Sequence, residues 1–318
     1  MDSKLLHNFM VIVDCGSLSK ASERLHVAQP ALSYQLSVLE GLLEQKLLDR
    51  STKGVTPTNA GAILYRRASA ILQQVDGLRD AVRFGDVAEC GPVAIGFPSS
   101  TVGLLCRPLI ERVLARHPAI QLRIFESMSG YVADRLAGGQ LDLAMLFRDS
   151  PTLGVAVTPL LDEDLLLMGD AGLGDLPGDA PCPLVRLGQV PMVLPSDAQG
   201  LRVLVERYLI KEGVTLKVVA EIDSLSTLVG VVRAGLACTI LSRSALVAHG
   251  GEGDLTIRPL AVPSGIRRPV SLCWSTNLPR TPASIAVQRS LVALVCELVQ
   301  QGAWSGASLR PGVADQAI

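Results

Sequence analysis

A narrow apolar stripe on an otherwise polar segment is the feature that most constrains the fold of this chain. Between residues 59 and 85 it steps by four, three, four, three and four residues, through Leu64, Ala68, Ile71, Val75, Leu78 and Val82. This is the a and d spacing of one long helix with a seam for one partner helix. Packing of the seam against the chain's own C-terminal part is the alternative. The narrow stripe favours a coiled-coil dimer.

The residues before this segment predict three short helices. Apolar side chains recur at helical spacing in each, and Gly16-Ser17 ends the first helix and begins the second. Pro30 suits the first turn of the third helix, because a proline there removes no helical hydrogen bond. The buried face of this third helix is predicted to be the stripe Leu32, Leu36, Leu39 and Leu43.

The opposite face of the third helix carries short or planar polar side chains. Together with Pro30, this face presents Gln29, Ser33, Tyr34 and Ser37. Such side chains hydrogen-bond to base edges in the major groove, so the pattern predicts a recognition helix. A three-helix scaffold with an ordinary solvated surface fits the periodicity equally well.

Residues 46–58 alternate enough to predict a small hairpin with Lys53-Gly54 at its turn. Arg50 and Lys53 are then free to contact DNA phosphates. A hairpin in this place after a recognition helix is a wing.

Composition bounds the remaining possibilities. The 318 residues are 48% apolar, which suffices for two or three globular domains. The net charge of -1 is no sign of a nucleic-acid binder, so the DNA hypothesis rests on local pattern. No export signal and no uninterrupted apolar run of about 18 residues is visible, and we expect a cytoplasmic protein without a membrane partner. The seven cysteines predict reduced core thiols rather than a metal or redox site.

From residue 92 onward, strand-length apolar runs alternate with polar turns and helical stretches. This alternation predicts a parallel or mixed α/β sheet with ligands at the carboxyl ends of its strands. Hydroxyls follow three of the predicted strands, at Ser99, Ser100, Thr101, Ser129 and Ser196. Helix N-terminal amides favour anions, so these residues predict a site for a small polar effector, an anion before a cation. Each could instead be a helix cap with no ligand.

Two segments, Gly16–Glu40 and Arg50–Gly61, strongly resemble the DNA-binding domain of LysR-type transcriptional regulators. The resemblance is dense over about 60 residues and continues more weakly to about residue 300. Within the family, Gly54–Thr58, Glu126-Ser127 and Ala137–Ala144 look most like the nitrogen assimilation control subgroup.

The resemblance implies a transcription regulator whose effector domain has two subdomains joined by crossover strands, like a periplasmic binding protein. It also implies an operator with dyad symmetry, a homo-oligomer that is a dimer or a dimer of dimers, and contact with RNA polymerase. We expect a winged helix-turn-helix at 1–58, a linker helix at 59–88, subdomain I at 91–162 and 267–302, and subdomain II at 163–266. The Gly-, Ala- and Ser-rich residues 303–318 are expected to form a flexible tail.

This sequence departs from the family pattern in the DNA-binding domain. The family usually has Gly where Glu44 stands and Phe where Leu48 stands, which affects the junction between recognition helix and wing. Many members carry a basic residue at the position of Tyr34, so the base preference there is not carried over.

Three other functions compete with this one. An α/β enzyme would need a nucleophile such as Cys106 or Cys238 near His117 or His249, but no catalytic motif surrounds them. A solute-binding protein would explain neither the N-terminal 58 residues nor the absent export signal. A redox sensor would need a cysteine pair like that of the peroxide-responsive members, and no pair in this sequence resembles it. We therefore predict a regulator that is not an enzyme and uses no metal or cofactor.

Overall fold

The computed structural model describes residues 2–51, 54–84, 89–170, 172–173, 180–197, 199–253, 255–262 and 265–313. Its first part follows the order α1 (Ser3–Cys15), α2 (Leu18–Leu25), α3 (Gln29–Leu43), β1 (Leu48–Ser51), β2 (Gly54–Pro57) and α4 (Asn59–Phe84). Strands β1 and β2 pair antiparallel. Three helices, a hairpin and a long helix are thus present in the predicted order.

Local signals determine where these helices begin and end. Gly16 ends α1 with a φ of 59°, a left-handed conformation that costs glycine little. The Ser17 side chain then accepts a hydrogen bond from the Lys20 amide at the start of α2. The apolar faces of the three helices meet in one buried cluster that includes Phe9 and Leu36.

The first turns of α4 belong to this same cluster. Leu64 is 9% exposed and Ala68 is fully buried, in the cluster that also contains Leu6 of α1. The prediction that these two residues form a dimer seam is wrong, because the chain's own α1 already covers them. Ile71, Val75 and Val82 remain exposed. The side chain of Leu78 lies outside the described residues.

The second part of the chain alternates strands and helices. Its first half contains β3 (Gly91–Pro98), α5 (Ser99–Arg116), β4 (Ile120–Ser127), α6 (Ser129–Ala137), β5 (Leu143–Leu146) and β6 (Val155–Met168). A 3₁₀ helix at Leu184–Gly188 follows, and then β7 (Pro191–Leu194), α7 (Gly200–Lys211), β8 (Lys217–Glu221), α8 (Leu225–Arg233) and β9 (Thr239–Leu241). A second 3₁₀ helix at Arg243–His249 precedes β10 (Ile257–Arg258), β11 (Ile266–Ser275), α9 (Pro282–Gln300) and β12 (Ala307–Leu309).

Two long strands join two subdomains. Strands β6 and β11 pair antiparallel from Val155 with Ser275 to Leu165 with Ile266. In subdomain I, β3 lies parallel to β4 and β5. In subdomain II, β7 and β8 form a separate parallel pair. Each subdomain has its own buried apolar cluster, and the predicted two-subdomain α/β class is confirmed.

Helix α9 is long and apolar enough to cross a membrane by length and composition. Here it packs on the sheet of subdomain I, with Val287, Leu291 and Val295 fully buried. That packing is typical of the core helix of a globular domain.

The C-terminal residues correct the prediction of a flexible tail. Trp304 is 2% exposed, and β12 adds to the edge of β6 by pairing Ala307 with Glu163. Arg310 forms an ion pair with Asp162 at 2.7 Å. A composition rich in small residues suggested fraying, but one buried tryptophan and one strand hold the segment up to residue 313. Residues 314–318 lie outside the described part.

Candidate DNA-binding face and ligand cleft

The polar side chains predicted for the recognition helix share one face of α3. Gln29, Pro30, Tyr34 and Ser37 are exposed, and Ser33 is partly exposed. Tyr34 is 71% exposed, although it is a large ring. Leu32, Leu36 and Leu39 lie buried on the other side of the helix, which holds the polar row outward.

The hairpin stands directly beside this row. The Arg50 guanidinium on β1 donates a hydrogen bond to the Ser33 hydroxyl over 3.3 Å, across 17 residues of sequence. The exposed Arg50 charge therefore borders the face of α3, as a phosphate contact beside a groove-reading helix requires. Lys53 lies outside the described residues.

Glu40 joins α3 to the hairpin and was not found by sequence reasoning. Its carboxylate accepts hydrogen bonds from the Leu47 amide at 2.9 Å and the Leu48 amide at 3.4 Å. Residues 1–62 carry six acidic and six basic side chains, so local placement rather than net charge must attract DNA. Because the Glu40 carboxylate accepts hydrogen bonds from backbone amides, it stabilises the junction between α3 and the hairpin. An acidic residue three positions from the end of a helix gives no sequence signal for such a role.

At the same junction, Glu44 ends α3 with a φ of 50°. This is the position where the family usually has glycine, and the left-handed backbone explains that preference. Leu48, where the family has Phe, is 3% exposed and fills the core beneath the hairpin. Glu44 thus adopts a left-handed backbone at this turn, and Leu48 occupies a buried position.

A cleft of about 450 Å³, open mouth included, lies between the two subdomains. The first turns of α5 and α6 in subdomain I and of α7 and α8 in subdomain II all border it. Helix N-termini carry partial positive charge and free amides, so four of them together suit an anionic or polar group. Most of the lining is apolar, including Met128, Phe147 and Leu225.

The cleft contains only part of the predicted effector set. Ser99, Ser100 and Ser129 line it. Thr101 does not, because it is fully buried and its hydroxyl donates to the Pro98 carbonyl at 3.1 Å. Ser196 is held by Asp223, which accepts from its hydroxyl at 2.7 Å and from its amide at 2.9 Å. These two residues correct the prediction: their hydroxyls donate hydrogen bonds within the chain, and neither one caps the N-terminus of α5 or α7.

Two polar lining residues were missed by sequence reasoning. Gln199 is 4% exposed, and its Oε1 atom has no hydrogen-bond partner in the described part of the chain. This atom lies 3.4 Å from the place that a Cβ would take on Gly130, at the start of α6 across the cleft. A buried, unsatisfied acceptor is costly and is the kind of group that a ligand donor can satisfy.

Arg268 is the second missed residue, and it lies at the base of the cleft. Its guanidinium forms a buried ion pair with Glu163 at 2.6 Å and stacks 3.6 Å above the Phe147 ring. It also donates to Ser100 at 3.1 Å and to Ser242 at 2.9 Å. Because Glu163 compensates its charge, Arg268 adds little net positive charge to the cleft, and the helix N-termini are the remaining source of partial positive charge. The paired residues are 105 positions apart in the sequence, so no local motif could predict the ion pair.

Burial is the main feature of the cysteine side chains. The seven cysteines lie in the described segments and form no disulfide bonds there, and four of them are buried. Burial raises the pKa of Cys106, with Glu126 adding to the shift, and raises that of Cys273 to about 12. Such thiols stay protonated and unreactive at neutral pH. Within the described residues no group of three His, Cys, Asp or Glu side chains could hold a metal ion.

An exposed polar row on a winged helix-turn-helix, followed by a two-lobed α/β domain with a cleft, defines a DNA-binding protein with its own ligand domain. Residues 3–62 match the family described as "Bacterial regulatory helix-turn-helix protein, lysR family", and residues 88–294 match "LysR substrate binding domain". The chain belongs to the LysR family and is a DNA-binding transcription regulator with an effector-binding domain.

Individual relatives agree with this assignment. The chain is 36% identical over 306 residues to the nitrogen assimilation regulatory protein nac of Escherichia coli K12, covering 95% of this chain and 97% of the relative. It is 28% identical over 260 residues to the regulator BbuR of Bordetella bronchiseptica, covering 82% and 80%. The first of these belongs to the subgroup that the sequence motifs resemble.

Solved structures share the fold. A full-length variant of OxyR from Pseudomonas aeruginosa is similar with a TM-score of 0.64 at 24% identity, covering 90% of this chain and 96% of that one. Full-length CbnR in complex with its target DNA gives a TM-score of 0.62 at 20% identity, covering 93% and 99%. At these identities the likeness concerns fold alone.

Proposed function

We propose that the regulator reads its operator with Gln29, Pro30, Ser33, Tyr34 and Ser37 of α3 in the major groove, while Arg50 and Lys53 contact the backbone or minor groove. The observation that supports this most is the hydrogen bond from Arg50 to Ser33. It ties the hairpin cation to the centre of an exposed polar row on one face of α3. A positioning contact thus stands next to candidate base contacts.

In the same proposal, a small polar or anionic molecule binds in the cleft and changes the activity of the regulator. Ser99, Ser129 and the amides of four helix N-termini supply donors, and Gln199 supplies an acceptor. The ligand then carries an anionic or polar end, a hydrogen-bond donor and an apolar body that fits Met128 and Phe147. Ser100 lines the cleft, but its hydroxyl already accepts from Arg268 and is available only in part.

The proposed assembly is a homodimer that reads a dyad site, with a dimer of dimers as the full form. Ile71, Val75 and Val82 form the exposed part of the α4 stripe on which a partner helix can pack. RNA polymerase is the proposed further partner, and the cytoplasm is the proposed location because the DNA target is there. The role is regulatory rather than catalytic, in keeping with relatives that are transcription regulators.

In vitro selection from random duplex DNA with the full-length protein tests the DNA proposal. We expect an enriched site with dyad symmetry. Ser33→Ala should lose about 1–3 kcal/mol of discrimination at one base pair of each half-site. Ser3→Ala, at an exposed serine at the start of α1, is the matched control and should select the same site as wild type. If Ser33→Ala also selects that site with full affinity, the assigned face is wrong.

Calorimetry against small carboxylates and amino acids tests the ligand proposal. Ser99→Leu with Ser129→Leu should abolish binding of any compound that wild type binds, because both side chains line the cleft. Ser150→Leu, at an exposed serine of a loop outside the cleft, should bind like wild type. Binding unchanged by the double substitution would place the ligand elsewhere.

A further inference from the structure

The DNA-binding domain and subdomain I meet at a compact joint. Tyr65 of α4 is partly buried there and donates a hydrogen bond to the carboxylate of Asp14 on α1. The same hydroxyl accepts a hydrogen bond at 3.0 Å from the side-chain amide of Gln140, between α6 and β5. One phenol oxygen therefore bridges the first helix of the DNA-binding domain and the effector domain.

Close backbone packing surrounds this bridge. Gly139 has a φ of 68°, and a Cβ there would lie 3.1 Å from the Cβ of Ala70 on α4. Ser69 and Ala70 are each 7% exposed. The position of Gly139 thus requires glycine twice, once for the left-handed backbone and once for the approach of α4.

A second polar contact borders the joint. The Arg67 guanidinium donates to the Asn277 side chain at 3.5 Å, and Asn277 donates in turn to the Ala137 carbonyl at 2.9 Å. Ala137 is the last residue of α6, whose first residue, Ser129, lines the cleft. The joint therefore holds the end of α6 that is remote from the cleft.

Helix α6 is packed into the core of subdomain I. Val132 and Leu136 are fully buried in a cluster with Ala144 and Cys273 of the sheet. A contact that holds the end of α6 against α4 therefore also holds subdomain I against the DNA-binding domain. Subdomain II is connected to subdomain I through β6 and β11.

We propose that Tyr65 is a latch that fixes effector subdomain I to the DNA-binding domain. The latch makes these two parts one unit, so opening or closing of the cleft moves subdomain II relative to the DNA-binding domain. Only this regulatory consequence rests on the proposed function. Burial and the bond to Asp14 raise the pKa of Tyr65 to about 12, so its hydroxyl stays protonated and able to donate at neutral pH.

Amide hydrogen exchange of the full-length protein, without DNA or ligand, tests the latch. Tyr65→Phe should speed exchange roughly threefold to tenfold in the last turn of α1 and at residues 138–140 together, as expected for the loss of one or two hydrogen bonds. Exchange in α7 and α8 should not change. Tyr131→Phe removes a hydroxyl from a ring on α6 that is 55% exposed, and should behave like wild type.

Gln140→Leu separates a latch from a local role of Tyr65. It removes the effector-domain half of the bridge and leaves Tyr65 with Asp14, so faster exchange in α1 must then come from lost docking. Gln121→Leu, at an exposed glutamine of β4, is its control. Asp14→Asn keeps an acceptor and should retain slow exchange at residues 138–140.

The latch proposal is wrong if Gln140→Leu leaves amide exchange in α1 at the wild-type rate. It is also wrong if Tyr65→Phe changes the exchange rate in α1 without changing that of residues 138–140. Failure of the proposed function would appear separately, as the absence of a selected DNA site. Neither result depends on the other, because the exchange experiment uses no DNA.

Discussion

The polar row of α3 and the cleft differ in how their polar groups are occupied. On α3, Gln29, Tyr34 and Ser37 face solvent. At the base of the cleft, polar groups are buried and bound to one another, as in the set of Arg268, Glu163 and Ser100. The first site is thus an exposed surface, and the base of the second is a buried network.

This difference predicts how each region responds to substitution. Exposed side chains that share no partner contribute to binding almost independently, and removing one leaves the fold intact. Members of a buried network depend on one another, and removing one leaves a partner unsatisfied. Substitutions in the buried network should therefore affect stability first, and substitutions on α3 should affect DNA binding first.

The largest expected effect is the loss of the buried ion pair. Arg268→Met leaves Glu163 without a counter-charge at 1% side-chain exposure. We expect the free energy of unfolding to fall by about 3–5 kcal/mol, measured by urea denaturation. Adding Glu163→Gln should recover part of the loss. Arg107→Ala, which breaks an exposed pair with Glu111, should have little effect. Equal stability of Arg268→Met and wild type would contradict the network description.

The second-largest effect is expected when charged residues replace the exposed apolar residues of the α4 stripe. Ile71→Asp with Val75→Asp would bury two unpaired carboxylates at a helix pair, at a cost of several kcal/mol. We expect light scattering to show a smaller particle than wild type. Gln74→Asp, on the same turns but at an exposed polar position, should leave the particle size unchanged. An unchanged size for the double variant would mean that assembly does not use this stripe.

A smaller effect is expected for the hairpin cation. Arg50→Ala should weaken binding to all DNA sequences alike and reduce the salt dependence by about 0.9 in log–log slope, the share of one phosphate contact. Lys4→Ala removes an exposed cation from α1 and should leave the slope unchanged. A loss of sequence preference instead of a change in slope would make Arg50 a base-reading residue.

The smallest expected effect is a gain in stability at the end of α3. Glu44→Gly relieves a φ of 50° and should raise the free energy of unfolding by about 0.5–1 kcal/mol. Glu212→Gly is the matched control, because Glu212 also follows a helix but has a φ of -96°. That control should not stabilise the protein. Stabilisation by both substitutions would show that the left-handed backbone is not the cause.

The sequence predicted regular elements well and through-space pairings poorly. The leucine stripe of α3 predicted both its buried and its polar face, because a helix fixes its faces by sequence spacing alone. The seam on α4 predicted the helix but not its partners, since Leu64 and Ala68 are covered by α1. An apolar stripe indicates that another element packs on it, but it does not identify that element.

The N-terminal motif, the α/β alternation and the family were determined by the sequence itself, because each depends on local spacing or on dense residue identity. Tertiary structure alone decided that Thr101 and Ser196 are engaged elsewhere, that Gln199 faces the cleft, and that Trp304 anchors the C-terminal segment. Trp304 reaches Glu163 across 141 residues. Contacts of this kind depend on which surfaces meet in the folded chain. No local pattern of residues predicts a contact between positions so far apart in the sequence.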